Sequence, residues 1–348
     1  MTYSFPAQGS SYSYYPAGGF EYPGVGLGPW WAQHVAFTAA QQDATRSALA
    51  MVSSYTGLNF TEVTETATDH AILRFSQLKT VYDSDAPPIE NFDSTMFNAP
   101  GHTPEAGDAW FSQDNFFFGQ PIKGNFGFLE IMRGVAQTLG LDQGGHSADD
   151  SIVFGSDHWF GYSAGDQSQQ SFMPADIAAL QYLYGANFTT NGGDTTYSWD
   201  PSTGEQFING AGKGAPATNT VYATVWDGGG VDTYDLSNYS SNLKIDLAPG
   251  AMSTFSESQL AVRHLSASNI ITPSAGNIAN ALLYNNDTRS LIENAKGGSG
   301  ADTISGNIAD NTLSGGGGND ALSGKGGNDT LNGGAGNDGL LGGAGNDI

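Results

Sequence analysis

The chain has 348 residues, enough for one large domain or two of medium size. Hydrophobic residues at 39% and aromatic residues at 11% mark a folding chain rather than a disordered one. Lys and Arg number 11 against 35 Asp and Glu, a formal charge of -24, which repels nucleic acid and anionic membrane surfaces and excludes both as partners. Cysteine is absent, so no disulfide holds the fold, and crowded carboxylates favour bound cations as the alternative cross-link.

The opening MTYSFPAQGSSYSYYPAGG has neither a basic start nor an apolar run, so no cleavable signal peptide is expected. No stretch reaches the ~18–20 apolar residues that cross a bilayer, so membrane insertion is not expected either. The first helix signal is TAAQQDATRSALAMVSSYTG, opening at a capping Thr38 and closing at Gly57. Strand-like LNFTEV and HAILRFS follow, and then GDAWF. A second helix is expected over FLEIMRGVAQTLGL, closed by Gly140, and a third from Ala175 to Tyr184 in ADIAALQYLYGAN. Residues 195–296 alternate apolar and polar positions between turn signals and predict strands. Within them WDGGGVDTYD reads as an irregular forerunner of the repeats that follow, or as an ordinary hairpin with exposed acids.

From Gly297 the chain repeats every nine residues: GGSGADTIS, GNIADNTLS, GGGGNDALS, GKGGNDTLN, GGAGNDGLL and a final GGAGNDI. Asp302, Asp320, Asp329, Asp338 and Asp347 share one phase, with Asn311 in the odd turn. This is the calcium-binding nonapeptide pattern. Glycines at Gly298, Gly300, Gly316, Gly318, Gly327, Gly334, Gly336, Gly343 and Gly345 permit the bend and present carbonyl oxygens, while each aspartate adds a charged oxygen. Ile304, Leu313, Leu322, Leu331 and Leu340 are expected to point inward from short strands. Turns 18 residues apart are expected to stack, pairing Asp302 with Asp320, Asp320 with Asp338, and Asp329 with Asp347.

The repeats resemble the RTX family of exported proteins, which implies a parallel β-roll, several calcium ions and type I secretion to the cell exterior or surface. NFTEV, GDAWF, the Leu139–Gly140–Leu141 step, DIAALQYLYGAN and WDGGGVDTYDLS together resemble the serralysin-like metalloproteases of the metzincin clan, in family order. The resemblance implies an α+β metzincin-like domain over residues 1–190 and an all-β roll over residues 191–348. It also implies calcium at Asp227, Asp232 and Glu293, at the head of the roll. The family's HExxHxxGxxH motif overlies residues 133–143, where Arg133, Gln137 and Gln143 take the places of the histidines and Gly134 that of the glutamate. Arginine offers no lone pair, glutamine is a poor zinc ligand, and no general base remains, so zinc is not expected. The family's methionine position falls at Asp157, whereas Met173 fits the entrance of the third helix.

A catalytically silent scaffold that binds an extracellular polymer or protein is the leading expectation. A hydrolase rebuilt around Glu130, with Asp142 or Asp157 as its second carboxyl, is an alternative. A zinc peptidase with ligands outside the motif is a third. His146 and His158, with Asp149, Asp150 and Asp157 nearby, match no standard ligand spacing. Trp30, Trp31, Trp110 and Trp159 suit core packing or a sugar-stacking surface.

Overall fold

The computed structural model describes residues 1–7, 34–66, 71–78, 96–97, 107–112, 119–141, 147, 149–153, 167–265 and 270–348. Helix α1, Ala39–Tyr55, starts on a reciprocal cap: the Thr38 hydroxyl accepts the Gln41 N–H at 3.3 Å and Gln41 Oε1 accepts the Thr38 N–H at 2.8 Å. Its buried Ala44, Ala48, Leu49, Val52 and Tyr55 recur at helical spacing and line one face. Helix α2, Phe126–Thr138, begins ahead of the expected Phe128 because Asn125 caps it, accepting the Phe128 N–H at 2.9 Å. Gly140 closes it with φ 94°. Helix α3, Pro174–Tyr184, follows Met173 and carries proline in its first turn.

These helices pack on a sheet ordered Thr61–Glu62, Thr2–Ser4, Leu73–Leu78, Asp108–Ser112, Met96–Phe97, with His34–Val35 also paired to Leu73–Leu78. The strand in LNFTEV is confined to Thr61–Glu62, and HAILRFS becomes Leu73–Leu78. Leu73, Phe75, Ala109 and Phe111 from the sheet join Leu49, Val52, Ile131, Met132 and Val135 from the helices in one core. An α+β unit results.

The C-terminal half winds as a flattened parallel coil. One sheet runs Thr330–Ala335, Thr312–Gly317, Asn294–Lys296, Thr233–Asp235, Thr196–Trp199, Gln206–Ile208, Ala211–Gly212. The opposite sheet runs Lys244–Asp246, Thr303–Ser305, Ala321–Gly326, Gly339–Ala344, all in parallel. The nine-residue period makes successive repeats alternate between the two sheets, so Leu313 pairs with Leu331, and Ile304 with Leu322, in an 18-residue register. Tyr197, Trp199, Tyr234, Leu236, Ile245, Ala295, Ile304, Leu313 and Leu322 fill the space between the sheets.

Two expectations are corrected. The hairpin alternative at WDGGGVDTYD fails because Thr233–Asp235 pairs in parallel with both Thr196–Trp199 and Asn294–Lys296, which a two-strand hairpin cannot do. The inward leucine row also fades along the coil. Ile304 and Leu313 are fully buried and Leu331 is partly covered, but Leu340, on the outermost strand of its sheet, is 50% exposed.

Candidate functional site

The repeat bends join through their aspartates as the period predicts. The Asp302 N–H donates to Asp320 Oδ1 at 2.8 Å, the Asp320 N–H to Asp338 Oδ1 at 3.0 Å, and the Asp329 N–H to Asp347 Oδ1 at 3.0 Å. Asn311 joins the other column by donating its N–H to Asp329 Oδ1 at 2.8 Å. One carboxylate oxygen of each stacked pair is therefore spent on the next bend's backbone. The second oxygen, Oδ2, is left over.

At Asp320 and Asp329 that second oxygen is buried and accepts no hydrogen bond. A buried carboxylate oxygen without a donor costs several kcal/mol unless a cation meets it. The surroundings suit a hard cation. A methyl group placed on Gly315 would strike both Asp320 Oδ2 and the Gly333 carbonyl, and one on Gly324 would strike Asp329 Oδ2 and the Gly342 carbonyl. Charged and carbonyl oxygens from bends 18 residues apart thus face one space, an all-oxygen donor set that fits calcium. Asp338 is half-buried and Asp347 exposed at the far end. Among the described residues no three His, Cys, Asp or Glu side chains converge as a metal-binding group, so a shell here draws on backbone carbonyls.

Backbone conformation separates the bends into two kinds. Gly316 and Gly318 have φ of 98° and 116°, and the equivalent positions of the later bends, Lys325 and Gly327, Gly334 and Gly336, Gly343 and Gly345, are likewise left-handed. Gly298 and Gly300 are not. Glycine is needed there because a side chain would run into the carbonyls of Tyr239 and Ser241. In this first bend the Gly298 N–H turns inward and donates to Asp302 Oδ2 at 2.8 Å, while the Leu243 N–H donates to Asp302 Oδ1 at 2.8 Å.

At the head of the roll Asp227, Asp232 and Glu293 are neighbours linked through hydroxyl and backbone donors, without converging as a three-carboxylate metal group. Asp227 accepts from the Tyr197 hydroxyl at 2.5 Å and from the Gly229 N–H at 2.7 Å. Glu293 accepts from the Asp232 N–H at 2.7 Å, and Asp232 Oδ1 from the Thr195 N–H at 2.7 Å. Asp232 Oδ2 is buried without a donor. Burial, followed by the neighbouring charges of Asp227 and Glu293, pushes the Asp232 carboxyl up to about 8. Asp227 and Glu293 are also raised, chiefly by burial. The unspent oxygen and the crowded charge again fit a hard cation.

On the face of α2 that bears the motif positions, Arg133 is tied down by an ion pair and a backbone carbonyl. Arg133 Nη1 meets Glu130 Oε1 at 2.5 Å and Arg133 Nε donates to the Ile152 carbonyl at 2.8 Å. Asp176 of α3 holds that carbonyl's segment in place, accepting from the Ile152 N–H at 2.7 Å, the Ser151 hydroxyl at 2.5 Å and the Met173 N–H at 2.9 Å. Glu130 is buried. Asp149 accepts from the Tyr222 hydroxyl and Asp150 from that of Ser147. Trp110 is buried in the core layer. Gln143, His146, Asp142, Asp157, His158, Trp30, Trp31 and Trp159 lie outside the described residues.

Residues 186–348 match the family model described as Peptidase M10 serralysin C terminal. The C-terminal part of the chain is thus similar to the C-terminal region of serralysins. Similarity to serralysins extends beyond it. Serralysin G of Dickeya chrysanthemi is 34% identical over 287 residues, covering 78% of this chain and 54% of that protein. Serralysin B of the same organism is 31% identical over 243 residues, covering 63% and 48%. Serralysin of Proteus mirabilis is 31% identical over 282 residues, covering 72% and 55%. The chain spans about half the length of the curated relatives it matches.

Three groups within this serralysin-type roll escaped the sequence reading. Tyr197 supplies the hydroxyl that orients Asp227. The fifth bend position forms a ladder of its own: the Asn337 N–H donates to Asn319 Oδ1, the Asn346 N–H to Asn328 Oδ1, and the Asn328 N–H to Asp310 Oδ1. The recurring Asn-Asp dipeptide, in phase with the aspartates, was its signal. Asn307 and Asn311 form a third group, for which an asparagine inside an aspartate column was the only hint.

Proposed function

We propose that this chain is a secreted calcium-binding protein of the serralysin type in which the protease centre is silent, acting by binding an extracellular polymer or protein. The observation that carries this is the engagement of Arg133 on α2. Where the resemblance puts the first zinc-binding histidine, Arg133 presents only donors, two of which go to Glu130 and the Ile152 carbonyl. Gly134 offers no general base, and Gln137 is a poor zinc ligand. A rebuilt hydrolase would need Glu130 free to exchange a proton, and here it is buried against Arg133.

The donor-free oxygens of Asp232, Asp320 and Asp329 support the calcium part of the reading. Calcium at these places would neutralise stacked carboxylates and cross-link successive turns. The likeness to serralysins supports export by the type I route, and among the described residues no helix is long and apolar enough to cross a membrane.

The test is metal analysis and a casein assay on protein refolded with calcium and zinc, with binding to purified polysaccharides and to an active serralysin measured in parallel. The expected result is calcium without stoichiometric zinc, no cleavage, and calcium-dependent binding to one of these probes. Stoichiometric zinc with casein cleavage would overturn the silent-scaffold reading.

A further inference from the structure

The bend at residues 306–311 departs from its neighbours in three ways that share one physical meaning. Its sixth position is Asn311 instead of aspartate, and its second and fourth positions are Asn307 and Ala309 instead of glycine. Neither Asn307 nor Ala309 has the left-handed backbone of the four later bends. The second-position N–H therefore turns inward, and Asn307 N donates to Asn311 Oδ1 at 2.8 Å. The first bend, 297–302, shares that inward N–H but keeps the charge of Asp302. At 306–311 the charge has gone as well.

The space that surrounds an unspent carboxylate oxygen in the 315–320 and 324–329 bends is crossed here by hydrogen bonds. Asn311 Nδ2 donates to the Glu293 carbonyl at 2.8 Å and to Asn307 Oδ1 at 3.1 Å. Asn307 Nδ2 donates to the carbonyls of Ile292 at 2.8 Å and Leu247 at 3.1 Å, and Asn307 Oδ1 also accepts the Ala309 N–H at 2.9 Å. Both side chains are buried, at 4% and 1% exposure, and each of their polar atoms has a partner. The oxygen that matches Asp320 Oδ2 is Asn311 Oδ1, since a methyl placed on Gly306 would strike it and the Gly324 carbonyl, and it already accepts the Asn307 N–H, which does without charge what a cation would do there. A calcium ion entering would have to displace an N–H donor and would gain no carboxylate in exchange.

We propose that the 306–311 bend is an ion-free lock, in which the Asn307 N–H, held on the uncharged Asn311 Oδ1, stands where the later bends leave a carboxylate oxygen free for calcium. It ties the Leu247 and Ile292–Glu293 segments to the repeats, so this part of the roll keeps its fold when calcium is withdrawn while the bends at Asp320, Asp329, Asp338 and Asp347 come apart. The proposal rests on the calcium reading of those later bends and adds a division of the roll into metal-independent and metal-dependent turns.

Hydrogen exchange of the full chain in calcium and in EGTA, read peptide by peptide, tests it together with ion counting by native mass spectrometry on wild type and Asn311→Asp. In EGTA the wild-type 306–313 segment is expected to stay protected while residues 324–347 lose at least tenfold in protection. Asn311→Asp is expected to bind one more calcium ion than wild type and to lose protection at 306–313 only in EGTA. The inference is overturned if wild-type 306–313 opens in EGTA together with 324–347, or if the variant gains no ion and keeps its protection. A wild-type chain that binds no calcium and shows no EGTA effect anywhere removes the calcium reading itself, and this inference with it. Should the variant fail to fold, the wild-type exchange pattern alone still decides.

Discussion

Replacing Asp232 by asparagine makes the chain less sensitive to pH in the absence of calcium. Asp232 is fully buried, with Asp227 and Glu293 as neighbours, and its carboxyl is held at about 8 against 3.8 for a free side chain. Between those values the folded chain keeps a proton that the unfolded chain releases. The folded state therefore binds more protons, and stability falls as pH rises through the window. The contribution is fully present below about pH 4 and lost by about pH 8. At roughly 1.4 kcal/mol per tenfold change in proton affinity, ionising this carboxyl in the fold costs several kcal/mol, shared across a cluster that titrates together. In Asp232→Asn the cost vanishes, and the new amide can donate to Asp227 or Glu293. Urea unfolding in EGTA from pH 5 to 8 is the assay. The wild type should lose several kcal/mol across the range, the variant much less, and calcium should flatten the wild-type curve. Wild type and variant running parallel in EGTA over the whole range would refute the reasoning.

Arg133→Met leaves Glu130 buried without its partner and should cost about 3 kcal/mol in urea unfolding, with calcium binding unchanged. Lys325 holds φ 77° where the equivalent positions of other bends are glycines Gly316, Gly334 and Gly343. Lys325→Gly should stabilise the roll by about 1 kcal/mol, seen as a raised melting temperature in calcium. Gly318→Ala places a methyl against the Gly300 carbonyl at φ 116°, and should destabilise the roll by about 2 kcal/mol and weaken calcium binding measured by isothermal titration.

The roll was legible because its period is arithmetic. A nine-residue repeat with leucine and aspartate in fixed phase sets the 18-residue register, and Leu313 against Leu331 follows directly. Helices α1 and α2 were legible from capping Thr38 and closing Gly140. What the period could not convey was the direction of single peptide groups. The second-position N–H of a bend turns in at Gly298 and Asn307, where the backbone is not left-handed, a choice that the nine-residue spacing does not encode. Arg133 was legible as a departure from the family motif, but its link through Ile152 to Asp176 depended on a segment 19 residues away in the chain. Leu340 was misjudged because burial of a repeat position depends on where its strand lies in the sheet, a property of the stack and not of the repeat.

Far-UV circular dichroism during calcium withdrawal and return tests the central claim most directly. The account predicts that EGTA removes much of the β-sheet signal and that calcium, but not an equal concentration of magnesium, restores it. A spectrum that EGTA leaves unchanged, in a chain carrying no bound calcium, would contradict it.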